Sequence, residues 1–323
     1  MEMISIEEKN SADEDWNKRL LETKDGTIYQ TQEFAEAQKL IGGEPSFLYF
    51  TNENEKIVAQ LLLISYSRFS KKGNFRKILK NFLGNGGKLF QWVYGPIIFD
   101  INFQAEIIKT LQNFIISKKW KIRGSDHPLS QMPLLQLDRP FVKKDWATFL
   151  IDLSQDPEEI WKKMDNHSVR KNVRRSKDRG VSIKKMKKKD FLIFLKLLEE
   201  TGKIHTFSSN KIAEEWWERI EPIGYHGFLA YENSEPIAGM TVSTFNGYVN
   251  EFTIVRTQKD YISKLYSQDL LKWHIIDWAI NNHFRYYDLT GVTPNSTDKK
   301  EIGIYRYKEK WGGDLMKCNK IIS

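Results

Sequence analysis

The segment RYYDLTGVTPNSTDKKEIGIYRYKEKWGG, residues 285–313, decides the fold. Its first residues, Tyr286 to Leu289, suit the pleated surface of a β-strand. Thr290-Gly291 is predicted to end that strand, and a polar loop is predicted from Thr293 to Glu301. A short aromatic segment that contains Lys308 follows. Ligands of open α/β sheets bind beyond the carboxyl ends of strands, so this segment is the first candidate for a site.

The size and composition of the chain indicate a folded protein of two domains. Its 323 residues are enough for two ordinary domains. The single Cys318 excludes an internal disulfide, and the first residues are acidic and polar, unlike a secretory signal. Apolar runs are too short to cross a bilayer. We therefore expect a cytoplasmic monomer.

The six histidines are scattered without metal-ligand spacing, so no metal site is predicted.

The charge of the chain favours polyanionic partners. The formal net charge is +8, and nucleic acid, phosphorylated substrates and an anionic membrane surface would all be attracted to it. Charge alone does not choose among these three classes.

Two segments of the sequence are similar to each other. Residues 47–59 read FLYFTNENEKIVA and residues 228–239 read FLAYENSEPIAG, and each predicts two strands joined by an acidic turn. In both cases further strand, a long helix and another strand follow. We interpret this order as two copies of one α/β unit.

Helix-start signals locate the basic part of the chain. Asp156-Pro157 is a strong helix start, with Asp at the cap and Pro at the first position. Ser168 is predicted to cap a basic continuation as far as Arg179. A long helix is predicted from Ser263 to Asn282, and a basic loop from Arg68 to Lys88.

Segment 285–313 resembles the C-terminal signature of the FemABX family. The resemblance lies in an Asp-Leu-x-Gly turn, a Gly-Ile-x-x-Tyr-Lys segment and a Trp-Gly-Gly ending. The family pattern usually has Phe-Lys and a Phe-Gly-Gly-like ending, where this chain has Tyr307-Lys308 and Trp311-Gly312-Gly313. These enzymes use aminoacyl-tRNA to add amino acids to peptidoglycan precursor peptides, on a fold similar to that of GNAT acetyltransferases.

The resemblance implies an α/β fold with mixed sheets, made of two tandem GNAT-like domains. The expected first domain comprises residues 1–147, completed by residues 314–323, and the second comprises residues 148–313. Some members of the family carry a coiled-coil arm. No sustained heptads occur in this sequence, so no arm is expected.

The usual coenzyme A cradle of GNAT enzymes is missing from the sequence. That cradle is a glycine-containing loop at a helix N-terminus, where backbone N–H groups contact the pyrophosphate. The corresponding segment of the second unit, Arg256 to Lys264, reads RTQKDYISK and contains no glycine. We therefore expect no cofactor, and aminoacyl-tRNA as the co-substrate.

The resemblance implies that Lys308 is catalytic, because the matching lysine of the family stabilises negative charge near the donor ester. Tyr307 shares this expectation more weakly. On the sequence alone, a solvated lysine in a Lys-Glu-Lys run is the preferred explanation of Lys308, and a core aromatic residue explains Tyr307 equally well. No Ser-His-Asp or Cys-His arrangement is present that would indicate a covalent intermediate.

Six further residues are candidates for substrate binding. Arg170, Arg174 and Arg175 lie at helical spacing, and a phosphate-rich partner needs such a basic face, although most charge runs are solvated surface. The resemblance adds Tyr94 and Tyr266, which packing would also explain. The N-terminal substrate lysine of the family has no clear counterpart in this chain, and Lys39 is the candidate for it.

The predicted function is transfer of an aminoacyl group from aminoacyl-tRNA to an amine of a UDP-linked or lipid-linked peptide precursor. The first alternative is an N-acyltransferase of GNAT type that uses coenzyme A or another thioester. The second is a nucleic-acid-binding protein on the same scaffold without catalytic activity. The sequence does not identify the amino acid that is transferred.

Overall fold

The computed structural model describes residues 3–66, 88–130, 140–203 and 205–323, and its chain divides into two compact units. Unit 1 comprises residues 1–146 and 317–323, and unit 2 comprises residues 147–316. The predicted basic loop at residues 68–88 lies, except for Lys88, outside the described residues.

The described strands are β1 (Ser5–Lys9), β2 (Gly43–Thr51), β3 (Ile57–Tyr66), β4 (Leu89–Gln91), β5 (Ile97–Ile98), β6 (Lys121–Ser125), β7 (Val142–Asp152), β8 (Ser182–Lys185), β9 (Tyr225–Glu232), β10 (Glu235–Phe245), β11 (Tyr248–Arg256), β12 (Tyr286–Val292) and β13 (Asp314–Ile322). The described helices are α1 (Trp16–Leu21), α2 (Gln32–Lys39), α3 (Gln104–Ser117), α4 (Pro157–Lys163), α5 (Lys171–Asp178), α6 (Lys188–Glu200), α7 (Asn210–Ile220), α8 (Gln258–Ile262), α9 (Ser267–Asn281) and α10 (Lys299–Glu309). Within these ranges no helix has the length and apolar character needed to cross a membrane.

Unit 1 is a mixed sheet in the order β1-β2-β3-β4-β6-β13, with β5 paired to β3. β4 and β6 are parallel, whereas β2 and β3 form the antiparallel hairpin predicted at residues 47–59. Its core includes Leu61, Leu111 and Ile122, which are fully or almost fully buried. Burial of such aliphatic side chains is the main stabilising contribution of the unit.

The strands of unit 2 pair in the order β7-β12-β11-β10-β9-β8, with both parallel and antiparallel neighbours. Its hairpin of β9 and β10 is the one predicted at residues 228–239. α9 packs against β9, β10 and β11 and also against α5. Leu271 and Ile275 of α9 and Leu289 of β12 are completely buried in its core.

The parallel strands β11 and β12 separate partway along their length. They pair only from Tyr248 opposite Tyr286 to Asn250 opposite Asp288. Beyond these residues β11 stays paired with β10, and β12 stays paired with β7 as far as Val292. The separation leaves a wedge-shaped gap between β11 and β12 in unit 2, which we call the wedge.

The structure corrects the prediction for the segment after Asp288. Thr290-Gly291 does not end the strand, because β12 continues to Val292 through a bulge between Asp288 and Gly291. The predicted polar loop ends earlier than expected. Asp298 caps α10 by accepting the backbone N–H groups of Lys300 and Glu301 at 2.8 and 3.0 Å, so these polar residues form the first turn of a helix.

Two predicted helix starts are also wrong. Asp165, rather than Ser168, caps the basic helix, and its carboxylate accepts the backbone N–H of Ser168 at 2.7 Å ahead of a π-helical turn, Asn166–Arg170. The long helix begins at Ser267, because Thr257 caps a separate short helix, α8.

Candidate active site

Lys308 lies on α10 and reaches the bulge of β12, beside the wedge. Its Nζ donates hydrogen bonds to the carbonyl oxygen of Gly291 at 3.1 Å and to Thr290 Oγ1 at 3.3 Å. Burial lowers the pKa of Lys308 to about 8; the carboxylates of Glu251 and Asp288 oppose this shift, and the charge of Lys272 adds to it. The ammonium group is therefore poorly solvated and has two neutral acceptors.

The bulge is held in place by Asp288, which is completely buried. Its carboxylate accepts the backbone N–H of Thr290 at 2.7 Å, the Tyr248 hydroxyl at 2.7 Å and Asn250 Nδ2 at 2.9 Å, and it also accepts the hydroxyl of Thr148. Thr290 has a φ of 60°, which is unfavourable for a β-branched residue. Asp288 thus caps the turn that presents Thr290 and Gly291 to Lys308.

A buried ion pair lies next to this site. Lys272 of α9 is almost completely buried and pairs with Glu251, the first residue of β11 after the strands separate. Glu251 also accepts the Tyr287 hydroxyl at 2.9 Å. Lys272 Nζ lies 5.5 Å from the ring centre of Tyr307 and 5.3 Å from that of Trp311. This pair supplies fixed charges close to Lys308.

Tyr307 and Lys308 form hydrogen bonds with different partners. Its hydroxyl donates to Asp269 of α9 at 2.8 Å, and Asp269 also accepts Asn172 Nδ2 of α5 at 2.8 Å. Burial, followed by the charge of Asp269, raises the pKa of Tyr307 well above its ordinary value. Tyr307 therefore stays a neutral donor that joins α10 to α9, and through Asp269 to the basic helix α5.

The three predicted arginines lie on or just before α5. Arg174 is exposed, with its guanidinium 5.8 Å from the ring centre of Trp161. Arg175 is exposed and lies 5.9 Å from the ring centre of Tyr266. Arg170 Nε is buried and has no hydrogen-bond partner among the described residues. No carboxylate in the described part of the chain forms an ion pair with any of the three, so their charges are available to a ligand.

The N-terminus of α9 is closed by a side chain of the protein itself. The buried carboxylate of Asp260 accepts the backbone N–H of Ser267 at 3.1 Å and pairs with Arg256. Thr257 Oγ1 accepts the backbone N–H of Asp260 at 3.3 Å and fixes this arrangement. A pyrophosphate would have to displace Asp260 in order to use this helix end.

The two remaining predicted residues lie in unit 1. Tyr94 is buried and packs edge-on against His127 and Tyr29, with ring centres 4.7 and 5.9 Å apart. Lys39 is exposed on α2 and pairs with Glu36 at 2.6 Å. The other six predicted residues all lie in unit 2.

Sequence reasoning missed the buried ion pair and its neighbour Asp269. A usable signal was present, because α9 has Asp269 and Lys272 on either side of the apolar pair Leu270-Leu271. Charged residues at the spacing of a buried helical face indicate paired charges in a core. No group of three His, Cys, Asp or Glu side chains in the described ranges is arranged to hold a metal ion.

The fold and part of the sequence match known proteins. The model of the FemAB family matches residues 100–214. A comparison with curated proteins gave no match. The crystal structure of FemX superimposes with a TM-score of 0.69 at 11% identity, covering 98% of this chain and 96% of that chain.

Two other structures show how widely the fold is shared. L-PGS from Bacillus licheniformis has a TM-score of 0.55 at 12% identity, covering 97% of this chain and 92% of that chain. A tandem GNAT protein from the clavulanic acid biosynthesis pathway has a TM-score of 0.54 at 9% identity, covering 99% of this chain and 97% of that chain. The predicted α/β fold of tandem GNAT-like type is confirmed. The match at residues 100–214 and the similarity to FemX together confirm the resemblance of this chain to the FemABX family.

Proposed function

We propose that this protein is an aminoacyltransferase of FemABX type. It would move an aminoacyl group from aminoacyl-tRNA to an amine of a peptidoglycan-precursor-like peptide. The observation that supports this most directly is the position of Lys308, a half-buried ammonium held by two neutral acceptors beside the wedge between β11 and β12.

The reaction needs positioning and charge stabilisation rather than a covalent intermediate. The acceptor amine attacks the ester carbonyl carbon, a C–N bond forms, and the carbonyl oxygen becomes an oxyanion. The C–O bond to the ribose then breaks, and the proton lost by the amine goes to the ribose oxygen or to water. A donor aimed at the oxyanion in a poorly solvated place stabilises the transition state more than the ground state.

Lys308 fits the role of that donor. An ammonium has three N–H groups, and Thr290 and Gly291 accept two of them, which leaves one for the oxyanion. With a pKa of about 8, Lys308 is mostly protonated at neutral pH and can donate. Tyr307 is assigned the positioning of α10 through its hydrogen bond to Asp269.

The remaining predicted residues are proposed to bind substrate. Arg170, Arg174 and Arg175 have no carboxylate partner among the described residues, so they are suited to the phosphates of a UDP-linked or pyrophosphate-linked precursor. Tyr266 lies against Arg175 and shares this surface. The assignment of Tyr94 and Lys39 to substrate binding is supported only by the family resemblance.

The N-terminus of α9 favours a donor other than coenzyme A. In the thioester alternative, backbone N–H groups at this helix end would bind a pyrophosphate. In this protein Asp260 occupies that position with its own negative charge. A thermal-shift comparison of acetyl-CoA with charged tRNA tests the point, and stabilisation by acetyl-CoA alone would favour the thioester alternative.

The activity is tested by incubating the protein with a mixture of charged tRNAs and candidate precursor peptides and reading the product masses. We expect a precursor whose mass increases by one amino-acid residue. Lys308→Ala should lower the rate on the order of a hundredfold or more. Lys310→Ala, which removes an exposed lysine two residues away, should have no effect.

Two results would contradict the proposal. Full activity of Lys308→Ala would exclude Lys308 as the oxyanion donor. A protein that binds tRNA equally well with and without Lys308, and forms no product with any precursor, would support the nucleic-acid-binding alternative.

A further inference from the structure

Unit 2 exposes two adjacent large apolar side chains at the end of α8. Tyr261 is 66% exposed and Ile262 is 69% exposed, although both follow the buried Asp260. Single exposed apolar residues are ordinary, but a neighbouring pair on one turn of helix is a candidate contact surface. We refer to Tyr261, Ile262 and the following Lys264 as the tip.

The tip is held in a defined position. Thr257 caps α8, and Asp260 anchors it to Ser267 of α9. Arg179, the residue directly after α5, donates to the carbonyl oxygens of Ser263 and Lys264, which close the turn after α8. The two apolar side chains are thus presented by anchored backbone, and little conformational entropy would be lost when they contact a partner.

Positive charge adjoins the apolar pair. Lys264 is exposed and forms no ion pair with any described residue, and the exposed Arg179 bonds only to backbone carbonyls among the contacts of the described residues. Arg175 and Arg179 lie over the ring of Tyr266, so the basic surface of α5 is continuous with the tip. Lys259 does not contribute, because Glu232 and Glu235 pair with it at 2.8 and 2.6 Å.

We propose that the tip is a docking surface for an anionic lipid bilayer, with Tyr261 and Ile262 entering the interface and Lys264 and Arg179 contacting lipid phosphates. Tyrosine is enriched at the boundary between headgroups and acyl chains, and basic residues beside an apolar insertion add attraction to anionic lipid. The proposal goes beyond the proposed function, because it can be measured without any donor or acceptor.

The alternative polyanion, tRNA, would explain the basic residues but not Ile262. Nucleic acids bind protein through phosphate contacts and through stacking on aromatic or guanidinium planes, and an exposed aliphatic side chain provides neither. Hydrocarbon is the environment in which Ile262 gains most from leaving water.

The test is co-sedimentation of the full chain with vesicles of phosphatidylcholine alone and of phosphatidylcholine mixed with phosphatidylglycerol. We expect binding to the mixed vesicles only. Ile262→Asp should lower the partition coefficient about tenfold or more, and Lys264→Ala about fivefold. Ile116→Asp is the matched control, because Ile116 is an exposed isoleucine on α3 in unit 1, and its partition should not change.

Binding of uncharged tRNA by the same variants separates the two polyanions. If Ile262→Asp leaves tRNA binding intact while vesicle binding falls, the lipid assignment is supported. Equal binding to both kinds of vesicle, an equal loss for Ile116→Asp, or a loss of tRNA binding with unchanged vesicle binding would each overturn it. Circular dichroism of each variant confirms that the comparison is between folded proteins.

Discussion

Burial lowers the pKa of Lys308, and its nearest hydrogen-bond partners, being neutral, do not oppose that shift. Thr290 and Gly291 offer oxygen atoms but no charge, so they do not offset the loss of water around the ammonium. Glu251 would oppose the lowering of the Lys308 pKa more strongly if Glu251 were not already paired with Lys272. The charge of Glu251 near Lys308 is thus largely balanced by Lys272.

The pH dependence of the reaction should report Lys308 directly. The active form is protonated, so its contribution to kcat/KM is present below a pH of about 8 and is lost as the pH rises through that value. We expect a falling limb near pH 8 in the profile of the native protein. Lys308→Ala should be slow at every pH and lack this limb.

The matched variant is Lys308→Arg, whose guanidinium stays charged throughout the range and should move the falling limb out of it. A falling limb near pH 8 that persists in Lys308→Ala would assign that titration to another group.

The pair of Lys272 and Glu251 should matter for stability even though sequence reasoning overlooked it. Lys272→Met leaves Glu251 buried with only the Tyr287 hydroxyl as a hydrogen-bond partner among the contacts described above. Removing one member of a buried pair costs about 3–5 kcal/mol of unfolding free energy. The double variant Lys272→Met with Glu251→Gln should recover most of this loss. Urea unfolding followed by circular dichroism measures both, and a double variant no better than the single one would contradict this account.

At the scale of elements, the bulge of β12 stores strain at the site. Thr290 has a φ of 60°, and a non-glycine residue in this region costs on the order of 1–3 kcal/mol. Thr290→Gly should therefore keep or raise the melting temperature. It should also lower kcat about tenfold, because Lys308 loses the Oγ1 acceptor that orients it.

Thr290→Asn is the informative comparison, since asparagine tolerates positive φ and carries an oxygen acceptor. We expect its kcat to lie between those of the native protein and Thr290→Gly. Equal values of kcat for the glycine and asparagine variants would show that the side-chain oxygen does not orient Lys308.

The bulge and α10 were the elements that sequence reasoning placed least well. Local signals indicated a break at Thr290-Gly291, but pairing with β7 and the hydrogen bonds of Asp288 carry the strand past it. The run Thr293 to Glu301 is polar throughout, and its helical end depends on a single cap, Asp298. The two hairpins were predictable, because they rest on turn residues and local hydrogen bonds.

At the scale of the whole molecule, the order of elements was predictable and the chemistry only partly so. Similar hairpins at residues 47–59 and 228–239 indicated a duplicated unit, and the fold confirms tandem GNAT-like units. Lys308 was identified through the family motif, whereas its two acceptors depend on a bulge that no local pattern indicates. The Glu251–Lys272 pair joins β11 to α9. The charges of α9 indicate buried pairing, but its partner on a distant segment cannot be identified from α9 alone.

The charge of the molecule gives the last prediction. If the basic face of α5 binds the phosphates of the precursor, Arg174→Ala combined with Arg175→Ala should raise the precursor KM about tenfold or more and leave kcat nearly unchanged. Added salt should raise the precursor KM of the native protein more steeply than that of the double variant, because fewer phosphate contacts remain to be screened. Lys189→Ala, an exposed lysine at the start of α6, is the control and should change neither value. A rise in KM for the charged tRNA alone would assign this face to the donor instead of the acceptor.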